Sequence, residues 1–229
     1  MEQKHGKPPA KRTRFNYEDT IKVVVGEGEA ERTFTMHKDK ICARSPFLQA
    51  ACLTRHRMGL DNFIFLEEQE PELFELYVNW VYTGQVDASI LSQPQAQPDN
   101  NDKRPTYLQL GKVWALGYYL QDTKLRNKIV DMVITMVNKT PGIISAPVLR
   151  LVWRGVPEGS TLRRLYTQIE VCHASSSDFK NNIDAWPVEV LEEATMRFCA
   201  REVQDAASVP KWWDRCTYHE HEVGDPKCP

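Results

Sequence analysis

The sequence predicts an α+β fold: a small β-sheet flanked by helices, continued by an all-helical C-terminal extension. Three observations predict it. Two short alternating apolar runs near the N-terminus are separated by a glycine-bearing turn. A third compact apolar run, NFIFLEE, follows a helical stretch. Every later patterned segment repeats at helical spacing, which leaves no further sheet to build.

IKVVVG places Ile21, Val23 and Val25 on one face of a strand that stops at Gly26. GEGEAE reads as a turn, and RTFTMH returns with Phe34 and Met36 on one face, completing a hairpin. HKDKICARSPFLQAACL is helical but broken near Ser45-Pro46, because proline restricts the residue before it and suits a first helical turn. Two short helices are therefore expected. The unbroken apolar run from Phe63 to Leu66 predicts a third strand buried on both faces. PELFELYVNWVYTG opens with proline and acids, carries Leu73, Leu76, Tyr77, Trp80 and Val81 at helical spacing, and stops at Gly84.

Residues 85–105 turn polar and proline-containing and read as a flexible surface loop. TYLQLGKVWALGYYL resumes helical order. In DTKLRNKIVDMVITMVNK, Asp122 is the expected cap, and Leu125, Ile129, Met132, Val133 and Met136 line one face. PVLRLVWRGV is a short helix. STLRRLYTQIEVCHA has Ser160 as cap and Leu162, Leu165, Ile169 and Cys172 at helical spacing. A Ser/Asp/Asn-rich loop is expected over 175–184, before a last helix with Pro187 near its start and Arg197 and Arg201 near its end. The final stretch reads as irregular.

With 229 residues, 41% hydrophobic and 26% charged, the chain has a core of its own without disulfides. A net charge of −2 excludes a global field that would draw it to nucleic acid or anionic lipid. No apolar run approaches the roughly 18–20 residues that span a bilayer, and the N-terminus lacks the apolar segment of a secretory signal. The expectation is an intracellular protein of nucleus or cytoplasm. Cys42, Cys52, Cys172 and Cys199 then behave as reduced thiols in helices, small buried hydrophobes that are not expected to form disulfides.

Two segments carry a family resemblance. FTMHKDKICARSPFLQAA, with His37, Lys38, Ile41, Ser45, Phe47 and Leu48, resembles the signature of the BTB/POZ domain. NWVYTG, with Trp80, Tyr82, Thr83 and Gly84, resembles that family's aromatic-Tyr-Thr-Gly helix ending. The first segment and the long helical tail look most like fungal members. The chain then divides into a disordered basic tail (1–19), a BTB/POZ domain (20–138), a helical extension (139–205) and an irregular Cys/His-containing tail (206–229). The resemblance implies function on surfaces: dimerisation, or binding of a cullin ubiquitin-ligase scaffold or transcriptional cofactors. Only about twenty residues precede Ile21, so the exchanged N-terminal element of animal BTB dimers is missing from the pattern. That leaves a monomeric, elongin-C-like adaptor beside the conventional homodimer.

Enzymatic signals fail on inspection. GEGEAE lacks a third glycine, runs into a strand and carries Glu27, Glu29 and Glu31, which repel phosphate. HEHE at 219–222 lacks the i, i+4 histidine spacing of zinc proteases, and no nucleophile elbow is present. His37 is expected to be a helix-start histidine bonded to backbone. Cys216, His219, His221 and Cys228 form C-x2-H-x-H-x6-C, a set of thiols and imidazoles suited to structural zinc, with Gly224 and Pro226 turning the chain so that Cys228 closes the site. PPAKRTR is a solvated terminus or import signal, and Trp212-Trp213 an anchor or tail packing.

The expected function is that of a non-enzymatic interaction module, a scaffold or adaptor joining a protein partner to a cullin ubiquitin ligase. The alternative is a nuclear transcription-regulatory BTB protein with a zinc-binding tail. No cofactor is expected, with structural zinc on the C-terminal Cys/His cluster as the one candidate and a polar tail without metal as its alternative; a membrane is excluded as partner and nucleic acid disfavoured.

Overall fold

The computed structural model describes residues 18–58, 63–87, 106–201, 215–221 and 228. Residues 1–17 of the basic tail, Trp212-Trp213, Gly224, Pro226 and most of the expected 85–105 loop lie outside them. Among the described residues the fold is mixed α+β, a three-stranded sheet with nine α-helices. No described helix is long and apolar enough to cross a membrane.

Strand β1 (Thr20–Val25) runs antiparallel to β2 (Arg32–His37) and parallel to β3 (Phe63–Leu66), giving the order β2-β1-β3. The register pairs Val23 with Phe34 on one side and with Ile64 on the other. Ile21, Val23, Val25, Met36, Ile64 and Leu66 are thereby gathered on one buried face. Gly26 at φ 85° and Gly28 at φ 61° take the left-handed conformations that the hairpin turn requires. The expectation that β3 is buried on both faces is wrong. Ile64 and Leu66 are buried, whereas Phe63 and Phe65 are 40% and 48% exposed. β3 is an edge strand whose side chains alternate, and the Phe63 ring carries Lys22 Nζ at 5.3 Å instead of core contacts.

Helices α1 (Lys38–Cys42) and α2 (Pro46–Met58) form the broken pair expected at Ser45-Pro46. Buried Ser45 accepts a bond from the Leu48 amide at 3.0 Å, capping α2, and donates to the Leu120 carbonyl at 2.6 Å. Helix α3 (Pro71–Thr83) starts at its proline and stops at Gly84, φ 68°. It buries Leu73, Leu76, Tyr77, Trp80 and Val81 as expected, and Phe74 besides, edge-on to Phe34 at 5.2 Å.

Helices α4 (Tyr107–Tyr119) and α5 (Thr123–Lys139) pack against each other, and α6 (Ala146–Gly155) crosses α4. Asp122 caps α5 through the Leu125 amide at 2.9 Å, and its other oxygen accepts from the Trp80 indole at 3.0 Å. The buried face of α5 is turned from the expected one. Val130, Ile134 and Val137 join Leu125, Ile129 and Val133, while Met132 and Met136 sit at its margin. Helix α7 (Thr161–His173) begins at the expected Ser160 cap, and Tyr166 fastens it to α4 by donating to the Tyr107 carbonyl at 2.7 Å.

The 175–184 loop is also corrected, to helix α8 (Ser176–Asn182) and a 3₁₀ turn. Ser175 and Asp178 make a reciprocal capping box that nucleates a helix in polar sequence. Helix α9 (Val188–Arg201) follows and packs on α7. One continuous buried cluster runs from the sheet through α3–α7 to Trp186, Val190 and, from the C-terminal segment, Tyr218.

Candidate metal centre

The C-terminal segment is held by two helices, α5 and α7. Asn127 and Asp131 are four residues apart on α5 and so project from one flank, beside its apolar face. The Asn127 side-chain amide donates to the Glu220 carbonyl and accepts from the Glu220 amide, both at 2.9 Å, pairing like a neighbouring strand. Arg126 meets the Glu220 carboxylate at 2.5 Å with little exposure. From α7, Arg164 donates to the Thr217 carbonyl at 2.7 Å. A 3₁₀ turn, Arg215–Thr217, then places Tyr218 in the core, only 7% exposed.

These anchors set out the four residues that the sequence singled out. The ligand atoms of Cys216, His221 and Cys228 all lie within 4.8 Å of one another. Cys228 Sγ is 3.6 Å from His221 Nε2 and 3.0 Å from His219 Nδ1. Tetrahedral zinc with bonds of about 2.0–2.3 Å separates its ligand atoms by roughly 3.3–3.8 Å, a spacing that Cys228 Sγ and His221 Nε2 already have. The Cys228 amide donates to Cys216 Sγ at 2.9 Å, a contact that stabilises a thiolate.

His219 is oriented from outside. Its Nε2 is 3.2 Å from the Asp131 carboxylate and its Nδ1 3.0 Å from Cys228 Sγ, an arrangement in which a proton on Nε2 leaves the Nδ1 lone pair toward Cys228. A carboxylate behind a ligating imidazole fixes its tautomer and raises its basicity. Desolvation, then the adjoining Cys216 sulfur, pushes the Cys228 thiol up. A dication reverses that balance, because it binds thiolates.

All four sequence candidates thus converge, with Cys216, His221 and Cys228 forming the tight group and His219 beside it. Sequence reasoning missed Asp131, Asn127, Arg126 and Arg164. Asp131 is 88 positions from His219, and nothing in local spacing pairs them.

His37 stands apart from this centre. It starts α1, and its ring Nδ1 is 2.8 Å from the Tyr82 hydroxyl, which also accepts from the His37 amide at 3.1 Å. Arg44 lies over the Trp80 ring at 4.8 Å. No protein-family model matches the chain, and no curated protein matches it.

Proposed function

We propose that the chain is a non-enzymatic interaction module of BTB/POZ type, an adaptor that joins a protein partner to a cullin-type scaffold. The observation that carries this reading is the meeting of the two segments on which the resemblance rests. His37 of the first bonds Tyr82 of the second, and Arg44 of the first covers Trp80 of the second. Motif residues far apart in sequence therefore act as one structural joint between α1 and α3. A groove of about 690 Å³ supports a surface role: Tyr118, Tyr119 and Leu151 line it, with Glu70, Lys112 and Arg126 among its polar residues. Exposed aromatics among charges are the composition of protein-binding surfaces.

The adaptor is tested by native pull-down against a cullin N-terminal region, with light scattering of the isolated chain. Recovery of the cullin by a monomeric chain is the expected result. A chain that forms a stable dimer and never recovers a cullin overturns it in favour of homotypic assembly.

Zinc is the metal that suits the tail, since thiolate and imidazole are its preferred ligands and Cys216, His221 and Cys228 are grouped with His219 beside them. Its role is to staple the C-terminal segment to α5. Native mass spectrometry is expected to find one zinc per chain; stoichiometric binding that never develops on titration removes it.

A second reading, a nuclear transcription-regulatory protein, is favoured by one feature. Lys128, Lys139 and Arg215 line a groove of about 400 Å³ next to the centre. A salt-dependent gel shift on duplex DNA separates the two, with no shift expected for the adaptor.

A further inference from the structure

We propose that Cys42 and Cys52 form a peroxide-responsive dithiol that closes reversibly to an intramolecular disulfide. Cys42 ends α1 and Cys52 lies in α2, and the break at Ser45-Pro46 packs these helices together. Their sulfurs come to 3.6 Å across a sequence separation of 10. That is van der Waals contact, and a bond of about 2.05 Å needs a further approach of roughly 1.5 Å. Both residues are only partly buried, so a small oxidant reaches them. The other described cysteines are engaged differently: Cys172 accepts from the Gln168 amide, and Cys216 and Cys228 belong to the metal cluster.

The pair is also chemically unequal. Cys42 donates its thiol hydrogen bond to Cys52. That bond chiefly lowers the Cys52 thiol, with the Lys38 ammonium adding to the effect, and it raises Cys42. Lys38 is itself held beside the pair by Asp19 at 2.9 Å. In the proposed closure Cys52 attacks as the thiolate and Cys42 resolves.

The oxidant is a hydroperoxide. Cys52 sulfur attacks one peroxide oxygen; an S–O bond forms, the O–O bond breaks, and the departing hydroxide takes a proton to become water. The product is a sulfenic acid. Cys42 sulfur then attacks Cys52 sulfur; the S–S bond forms, the S–O bond breaks, and the hydroxyl leaves with the Cys42 proton as water. In sum, two thiols and one hydrogen peroxide give one disulfide and two waters, with both sulfurs oxidised and both peroxide oxygens reduced. The bridge locks α1 to α2 directly beside the His37–Tyr82 joint.

The test uses the full chain, reduced, then treated with stoichiometric hydrogen peroxide, alkylated and mapped by peptide mass spectrometry. The expected product joins the Cys42 and Cys52 peptides, is about 2 Da lighter than the dithiol, and reverts with dithiothreitol. In Cys42→Ser, dimedone is expected to trap a sulfenic acid on Cys52; in Cys52→Ser, Cys42 is expected to stay alkylatable. The idea is overturned if wild-type Cys42 and Cys52 both stay alkylatable while other cysteines oxidise. It is equally overturned if they pass to sulfinic acid unbridged, or bridge to cysteines elsewhere. The wild-type map decides even where a variant fails to fold, and it scores Cys216 and Cys228 separately from this pair.

Discussion

Glu170 lies fully buried in α7, with one carboxylate oxygen taking the Ile144 amide at 2.5 Å and the other meeting no donor among the described residues. Desolvation pushes its carboxyl up to about 8; the Ile144 bond opposes this and the Asp178 charge adds to it. In the unfolded chain the same group titrates near 4.5. Between these values the folded state holds a proton that the unfolded state has released, so the stability from this group is full below about 4.5 and lost as pH rises to about 8. Glu170→Gln removes that slope. Urea unfolding at pH 5 and pH 8 is expected to show wild type losing up to a few kcal/mol relative to the variant across the interval. Parallel behaviour of the two proteins refutes the assignment. At the metal centre, Asp131→Asn is expected to weaken zinc binding by about 10- to 100-fold, read by competition with a chromophoric chelator, because the His219 ring loses its anionic partner.

The packing of α4 against α6 depends on close approach at glycine. A Cβ on Gly111 of α4 would stand 2.6 Å from Val152 Cγ2 of α6, inside any tolerable contact. Gly111→Ala is therefore expected to cost about 1–3 kcal/mol in chemical denaturation, by forcing the two helices apart. On the facing helix, Gly155→Ala brings its Cβ only to 3.7 Å from Ala115 and serves as the control, with little or no loss. Several element ends were legible because their chemistry is local: Pro71 and Gly84 around α3, Ser160 before α7, Asp122 before α5. Helix α8 was hidden because Ser175 and Asp178 belong equally to turns and to caps, and the three-residue spacing between them was the signal that distinguishes the two.

At the scale of the molecule, the C-terminal segment reaches back to α5 and α7 through Glu220, Thr217, Tyr218 and His219. Removing metal from the zinc-loaded protein is expected to raise amide exchange in residues 215–221 by an order of magnitude or more. The strands, whose stability comes from the central cluster, are expected to keep their protection. Hydrogen exchange with and without chelator checks this, and unchanged exchange in the segment refutes the staple.

The sequence by itself determined the strands, most helix boundaries and the identity of the four metal-ligand candidates. Apolar period, proline and glycine placement and ligand chemistry are properties of neighbouring residues, readable along the chain. Only the tertiary structure decided that Phe63 and Phe65 face outward, that α5 turns Val130 and Ile134 into the core, and that Asp131 stands behind His219. It alone brought Cys42 to Cys52 and His37 to Tyr82. Those outcomes depend on which elements pack together, and the burial that drives packing is non-directional: it rewards apolar area without naming the partner that covers it.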